Sequence, residues 1–142
     1  MILVDANLLI YAVNEDAPSH RKAKSWLESV LSGPETVAFS WNVLLAFLRL
    51  TTRQGLFSRP LRVEAALELI ASWLEQPGAT VLHAGPRHLQ VLRELLLPIG
   101  SGGNLTSDAD LAALAIEHGA VLCSSDADFG RFPGLKWRNP LQ

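Results

Sequence analysis

The chain is short of sulfur and of charge. Its 142 residues include one cysteine, one methionine and one tyrosine, and only 18 % are charged. The lone thiol, Cys123, forms no internal disulfide, and its place in the apolar run AVLCS suits a reducing compartment. No apolar stretch approaches the roughly 18 residues that cross a bilayer, and the opening MILVDANLLIYAV carries Asp5 and no basic leader. These absences predict a soluble, cytoplasmic protein that makes no use of a membrane. A basic excess is missing too, since the net charge is −2, which gives no global signature of a nucleic-acid binder. Acidic residues are absent between Glu35 and Glu64, however, where Arg49, Arg53, Arg59 and Arg62 fall, and the tail after Asp128 holds Arg131, Lys136 and Arg138 unopposed. Two stretches are therefore locally basic, facing an acidic set of Asp5, Asp108, Asp110, Asp126 and Asp128.

What the chain has in quantity is apolar surface, 49 % by residue, enough for one core with some left over for a partner interface. ILV reads as a short buried strand ending near Asp5, TVAF as a second, ATVLH as a third and AVLCS as a fourth. Between them lie helical patterns. Ala23, Trp26, Leu27, Val30 and Leu31 stripe a helix from Pro18 to Leu31, and Ser40 caps one from Trp41 to about Thr52. Ser58-Arg59-Pro60 opens another through Leu74, and Gly85-Pro86 opens one through Leu96. A loop with Gly100, Gly102 and Gly103 then leads to a last helix, Asp108 to His118, capped by Thr106 or Ser107 and ended by Gly119. Short strands apolar on both faces and alternating with helices predict an α/β domain with a parallel sheet of four to five strands flanked by helices. No internal repeat or linker divides the chain, so residues 1–142 read as a single domain.

In such a sheet ligands gather outside the carboxyl ends of the strands. Asp5 lies at that end of the first strand, Asp126 and Asp128 just beyond the last, and Asp108 in the first turn of the helix feeding it. Gathered carboxylates raise one another's pKa unless a cation neutralises them. An all-oxygen set without His or Cys suits magnesium or manganese rather than zinc. Such ions activate water and stabilise a leaving oxygen, so acids beside a basic surface point to phosphodiester hydrolysis. Taken singly, Asp108 also suits a helix start and Asp126 and Asp128 suit a turn, but Asp5 sits among apolar neighbours where an unpaired charge is costly. His118 suits a helix end, and His20, His83 and His88 show no metal spacing. Of the tryptophans, Trp26, Trp41 and Trp73 read as core or interface residues, while Trp137 in the basic tail is a candidate base-stacking platform.

MILVDANLLIYAV and NLTSDADLAALAIEHGAVLCSSDADFGRFPGL, with WNVLLAFLRLTTR between them, resemble the motifs of PIN-domain ribonucleases, most closely the VapC toxins of type II toxin–antitoxin pairs. The resemblance implies a PIN-like fold and a Mg²⁺-dependent endoribonuclease, Mn²⁺ substituting, that cuts structured RNA to 5′-phosphate and 3′-hydroxyl ends. It further implies silencing by a VapB-like antitoxin. By position Asp5, Asp108 and Asp126 match the family's metal-binding catalytic acids, and Asp128 a frequent further acid. Asn7 and Ser124 match polar positions that hold those acids in place. Arg49 and Arg53, one turn apart, are candidates to meet substrate phosphate or an acidic antitoxin segment. The greasy faces of the Trp41 and Leu61 helices suggest a homodimer and antitoxin docking.

One departure concerns mechanism. Many relatives carry a glutamate on the helix after the second strand, where this chain places Leu44 or Ala46, so fewer metals or recruitment of Asp110 or Asp128 follow. A PIN domain reduced to binding RNA or protein is one rival. An aspartyl phosphotransferase is another, disfavoured because no lysine lies between Lys24 and Lys136.

Overall fold

The computed structural model describes residues 1–100 and 102–142; the loop expected over 98–103 includes Ser101, which lies outside them. Five parallel strands, β1 (Ile2–Val4), β2 (Val37–Phe39), β3 (Ala79–Val81), β4 (Val121–Cys123) and β5 (Trp137–Arg138), form one sheet in the order β3-β2-β1-β4-β5. The chain builds outward from β1 through β2 to β3, then returns to β1's other side for β4 and β5. The strand order therefore reverses between β1 and β4, which is where such sheets open a binding crevice. Register pairs Val4 with Cys123, so the residues that follow, Asp5 and Ser124, emerge side by side.

Six helices cover the sheet: α1 (Ala6–Val13), α2 (His20–Ser32), α3 (Trp41–Thr52), α4 (Val63–Leu74), α5 (His88–Leu96) and α6 (Thr106–His118). The strands β1 and β2 are wholly buried, as their unbroken apolar runs require. Phe39, Phe47 and Trp73 form an aromatic knot between β2, α3 and α4, with the Phe47 and Trp73 ring centres 4.9 Å apart.

The first strand ends before Asp5 as expected, and LLIYAV falls in α1, because Asp5 breaks the extended run and accepts the Ala6 N–H at 2.7 Å, starting a helix. Other local expectations change. The helix expected from Pro60 begins at Val63; Leu61 is held in the lead-in by its N–H to the Thr51 carbonyl, 2.8 Å. Thr106 and Ser107 are not caps. They lie inside α6, whose cap position is Leu105, reached through a 3-10 turn over Gly103–Leu105. Ser40 caps α3 as expected, accepting the Val43 N–H at 3.2 Å, and Gly119 ends α6 at φ 66°, a conformation that favours glycine.

Candidate active site

Ser124 is the hub at the carboxyl ends of β1 and β4. Its hydroxyl is fully buried, donates to Asp5 Oδ2 at 2.7 Å, and accepts from Asn7 Nδ2 at 3.2 Å and from the Asp126 N–H at 3.0 Å. One donor and two acceptor sites are thereby filled, which fixes the hydroxyl's orientation. Asn7 completes the arrangement by accepting the Ser125 N–H at 3.5 Å. Asp126 in turn accepts the Asp128 N–H at 2.9 Å and so opens the short helical turn Ala127–Arg131. Ser124 and Asn7 thus bind two segments, carrying three of the four acids, into one rim.

The third segment is the first turn of α6, with Asp108. Burial and the neighbouring charges of Asp5, Asp126 and Asp128 push the Asp108 carboxyl up from 3.8 to about 6. The same three charges identify its surroundings, so four carboxylates from three distant parts of the chain share one electrostatic environment. Burial also raises the Asp5 carboxyl, against the lowering effect of its bonds from Ser124 and Ala6. The donor set is oxygen-only, which fits a hard divalent cation. Among the described residues no three His, Cys, Asp or Glu side chains close into a ready cage. That still suits Mg²⁺, which commonly takes one or two carboxylates and completes its shell with waters and substrate phosphate.

The remaining site residues divide. Arg53 ends α3 and lines a groove with Asn7, Tyr11 and Leu56, while Arg49 stands exposed one turn earlier on the helix. Asp110 is turned elsewhere. Its carboxylate accepts from Asn42 Nδ2 at 3.1 Å and faces His88 Nε2 at 2.7 Å, and it is not among the charges acting on Asp108. Recruitment of Asp110 in place of the family's helical glutamate is therefore not the arrangement seen. Leu44 is buried in the core, and α3 reaches α6 through Asn42 instead. Trp137 is half-buried against the core and anchored by its indole N–H, which donates to the Ser124 carbonyl at 3.0 Å. Its role is to brace the segment that carries Asp126.

His88 has no metal spacing in the sequence and Glu117 is one acid of α6 among several, yet the two meet in the fold. A signal was present: Asp110 and Glu117 stand seven residues apart on α6, on one face of the helix, and His88 bridges them.

A family profile described as PIN domain matches residues 2–135. Ribonuclease VapC37 of Mycobacterium tuberculosis is 49 % identical over 140 residues, covering 99 % of this chain and 97 % of the relative. Ribonuclease VapC33 of the same species is 41 % identical over 142 residues, covering 100 % and 99 %. Among solved structures, VapBC2 from Rickettsia felis bound to a promoter DNA fragment aligns with TM-score 0.73 at 20 % identity, covering 98 % of both chains. Mycobacterium tuberculosis VapC20, described as a Sarcin-Ricin loop cleaving toxin, aligns with TM-score 0.70 at 22 % identity, covering 96 % and 99 %. At those identities the structural likeness speaks for the fold.

Proposed function

The chain belongs to the PIN-domain family, among the VapC ribonucleases, and from that premise we propose that it is a Mg²⁺- or Mn²⁺-dependent endoribonuclease acting as the toxin of a VapBC-type pair. The observation that carries the metal dependence is the gathering of Asp5, Asp126 and Asp128 about Asp108, which together with burial, the larger cause, holds the Asp108 carboxyl up at about 6. Asp5, Asp108 and Asp126 would hold the ion, with Asp128 at the edge. A divalent cation bound there supplies activation of water at neutral pH and charge neutralisation at the leaving oxygen.

The chain's own residues do the positioning. Ser124 holds Asp5 and the Asp126 segment at fixed separation, and Asn7 locks Ser124. Arg53, beside Asn7, is placed to take a phosphate of the RNA strand next to the scissile one, a contact that orients substrate without reading sequence. In the complex with a VapB-like antitoxin the same arginine would face an acidic or polar tail. Trp41 and Leu45 on α3 and Val63 and Leu67 on α4 are 48 %, 55 %, 51 % and 48 % exposed, each pair one helical turn apart, and this face is assigned to a second copy of the chain.

Purified protein freed of antitoxin and incubated with cellular RNA tests the reading. Cleavage with Mn²⁺ or Mg²⁺, leaving 5′-phosphate ends, is expected, with loss on chelation and in Asp5→Asn. A second reading, a PIN domain that binds RNA without cutting it, is favoured by the absence of an acid on α3 facing the rim. Binding of RNA without any metal-dependent product, unaltered by Asp5→Asn, would establish it instead.

A further inference from the structure

Asp108 sits on a helix start with no side-chain cap and a glycine-rich approach, Gly102-Gly103, and three carboxylates repel it. Something must hold that turn in place. Four of the six buried residues of α6 are alanines, Ala109, Ala112, Ala113 and Ala115, which let the helix approach the sheet closely; Leu111 and Leu114 are the larger two. Methyl groups interdigitate little, so this packing sets the distance to the sheet better than the position along it. Directional bonds supply the missing constraint. Among the described residues, those linking the first two turns of α6 to α3 and α5 run through one side chain, Asp110, to Asn42 and His88.

The far end of the same strut is equally built. Glu117, two turns along α6, faces His88 Nδ1 through Oε1 at 3.2 Å and also accepts the Gly85 N–H at 3.0 Å. Its Oε2 accepts the Arg87 N–H at 3.2 Å, so Glu117 caps α5, which has no side-chain cap of its own. A Cβ at Gly85 would meet the Glu117 carboxylate, which would have to shift out of this arrangement. The His88 and Glu117 side chains are only 14 % and 7 % exposed, unlike a solvated surface pair. Both ring nitrogens face a carboxylate oxygen, so the imidazole can bond both only when each nitrogen carries a hydrogen.

We propose that His88 and Asp110, anchored by Glu117 and braced by Asn42, are positioning residues that fix the first turn of α6 and thereby set Asp108 at the rim. The strut also directs the Asp110 charge away from the acid cluster. This rests on the metal-nuclease reading for its functional consequence, but its structural part stands on its own.

The test is a double-mutant cycle on the full chain, His88→Ala alone and with Asp108→Asn, read by Mn²⁺ affinity and by amide exchange over the first turn of α6. His88→Ala should speed exchange there about tenfold or more while the sheet amides hold, and weaken Mn²⁺ binding about tenfold, as loss of ligand-orienting partners does. His88→Gln, still able to donate to Asp110, should recover part of both. In the Asp108→Asn background His88→Ala should leave Mn²⁺ affinity unchanged. Unaltered exchange in that turn, or an equal loss of affinity with Asp108 already removed, would overturn the proposal. Asn42→Ala, at an exposed position, gives the same readouts in milder form if His88→Ala does not fold. A wild-type chain that neither binds Mn²⁺ nor cuts RNA defeats the nuclease reading alone, and the exchange arm still decides the strut.

Discussion

Replacing Asp108 by asparagine should make the metal-free protein more stable while disabling it. The folded carboxyl keeps its proton up to about pH 6, against 3.8 for an unperturbed aspartate. Between these values folding takes up a proton, so stability declines as pH rises through the interval, and above it the whole penalty is present. Taken at face value the difference costs up to about 3 kcal/mol at neutral pH. Asp108 is only half-buried, and screening reduces this to roughly 1–1.5 kcal/mol. Asparagine removes that penalty but also gives up the favourable first-turn charge, about 0.5 kcal/mol. The net gain is roughly 0.5–1 kcal/mol, near 2–3 °C in Tm for a chain of this size. Thermal melts in chelator at pH 7.5 and pH 4.5 measure it: Asp108→Asn should melt higher at 7.5, and most of that advantage should be gone at 4.5. Saturating Mn²⁺ should reverse the order, since an ion at a hundred times its Kd adds about 2.7 kcal/mol to the form that binds it. A variant that melts at or below wild type at pH 7.5, or keeps its full advantage at pH 4.5, would refute the electrostatic account of the site.

Other perturbations have equally definite outcomes. Ser124→Ala strips a buried hydroxyl from Asp5, Asn7 and the Asp126 N–H together; a loss of about 2–3 kcal/mol in urea unfolding is expected, with RNA cleavage abolished. Cleavage by wild type at limiting Mn²⁺ should rise from pH 5 to 7, because the ion competes with the proton that Asp108 holds to about 6; a flat profile in that window would count against Asp108 as a ligand. Arg53→Ala should raise KM for RNA and flatten its salt dependence with Mn²⁺ affinity intact, whereas Arg49→Ala, outside the groove that Arg53 shares with Asn7, should do less. Gly119→Ala, with open space around it but φ at 66°, should cost about 1 kcal/mol from backbone strain alone, read as a lower Tm with unchanged activity.

The local chemistry of this chain writes much of its fold into short segments. Unbroken apolar triplets such as ILV and VAF announce strands buried on both faces, and Ser40 and Gly119 mark helix ends by their own hydrogen-bonding and backbone preferences. Where a rule rests on apolar pattern alone it is blind to caps: LLIYAV is equally apolar as strand or helix, and only the Asp5 carboxylate on the Ala6 N–H decides for α1. Thr106 and Ser107 carry the right side chains for a cap, yet the preceding 3-10 turn starts the coil earlier and leaves them inside it.

Sequence by itself determined that acids stand at the ends of the first and last strand segments and at the head of the helix between, because strand ends and first turns are local properties. Tertiary structure alone decided which acids act together. Strand register sets Asp5 against Ser124, and the 3.6-residue helical period points Asp108 into the cluster while sending Asp110, two residues on, to His88 and Asn42. Linear spacing lists both carboxylates as equals; rotation about the helix axis, and the partners that α3 and α5 bring up to it, separate them.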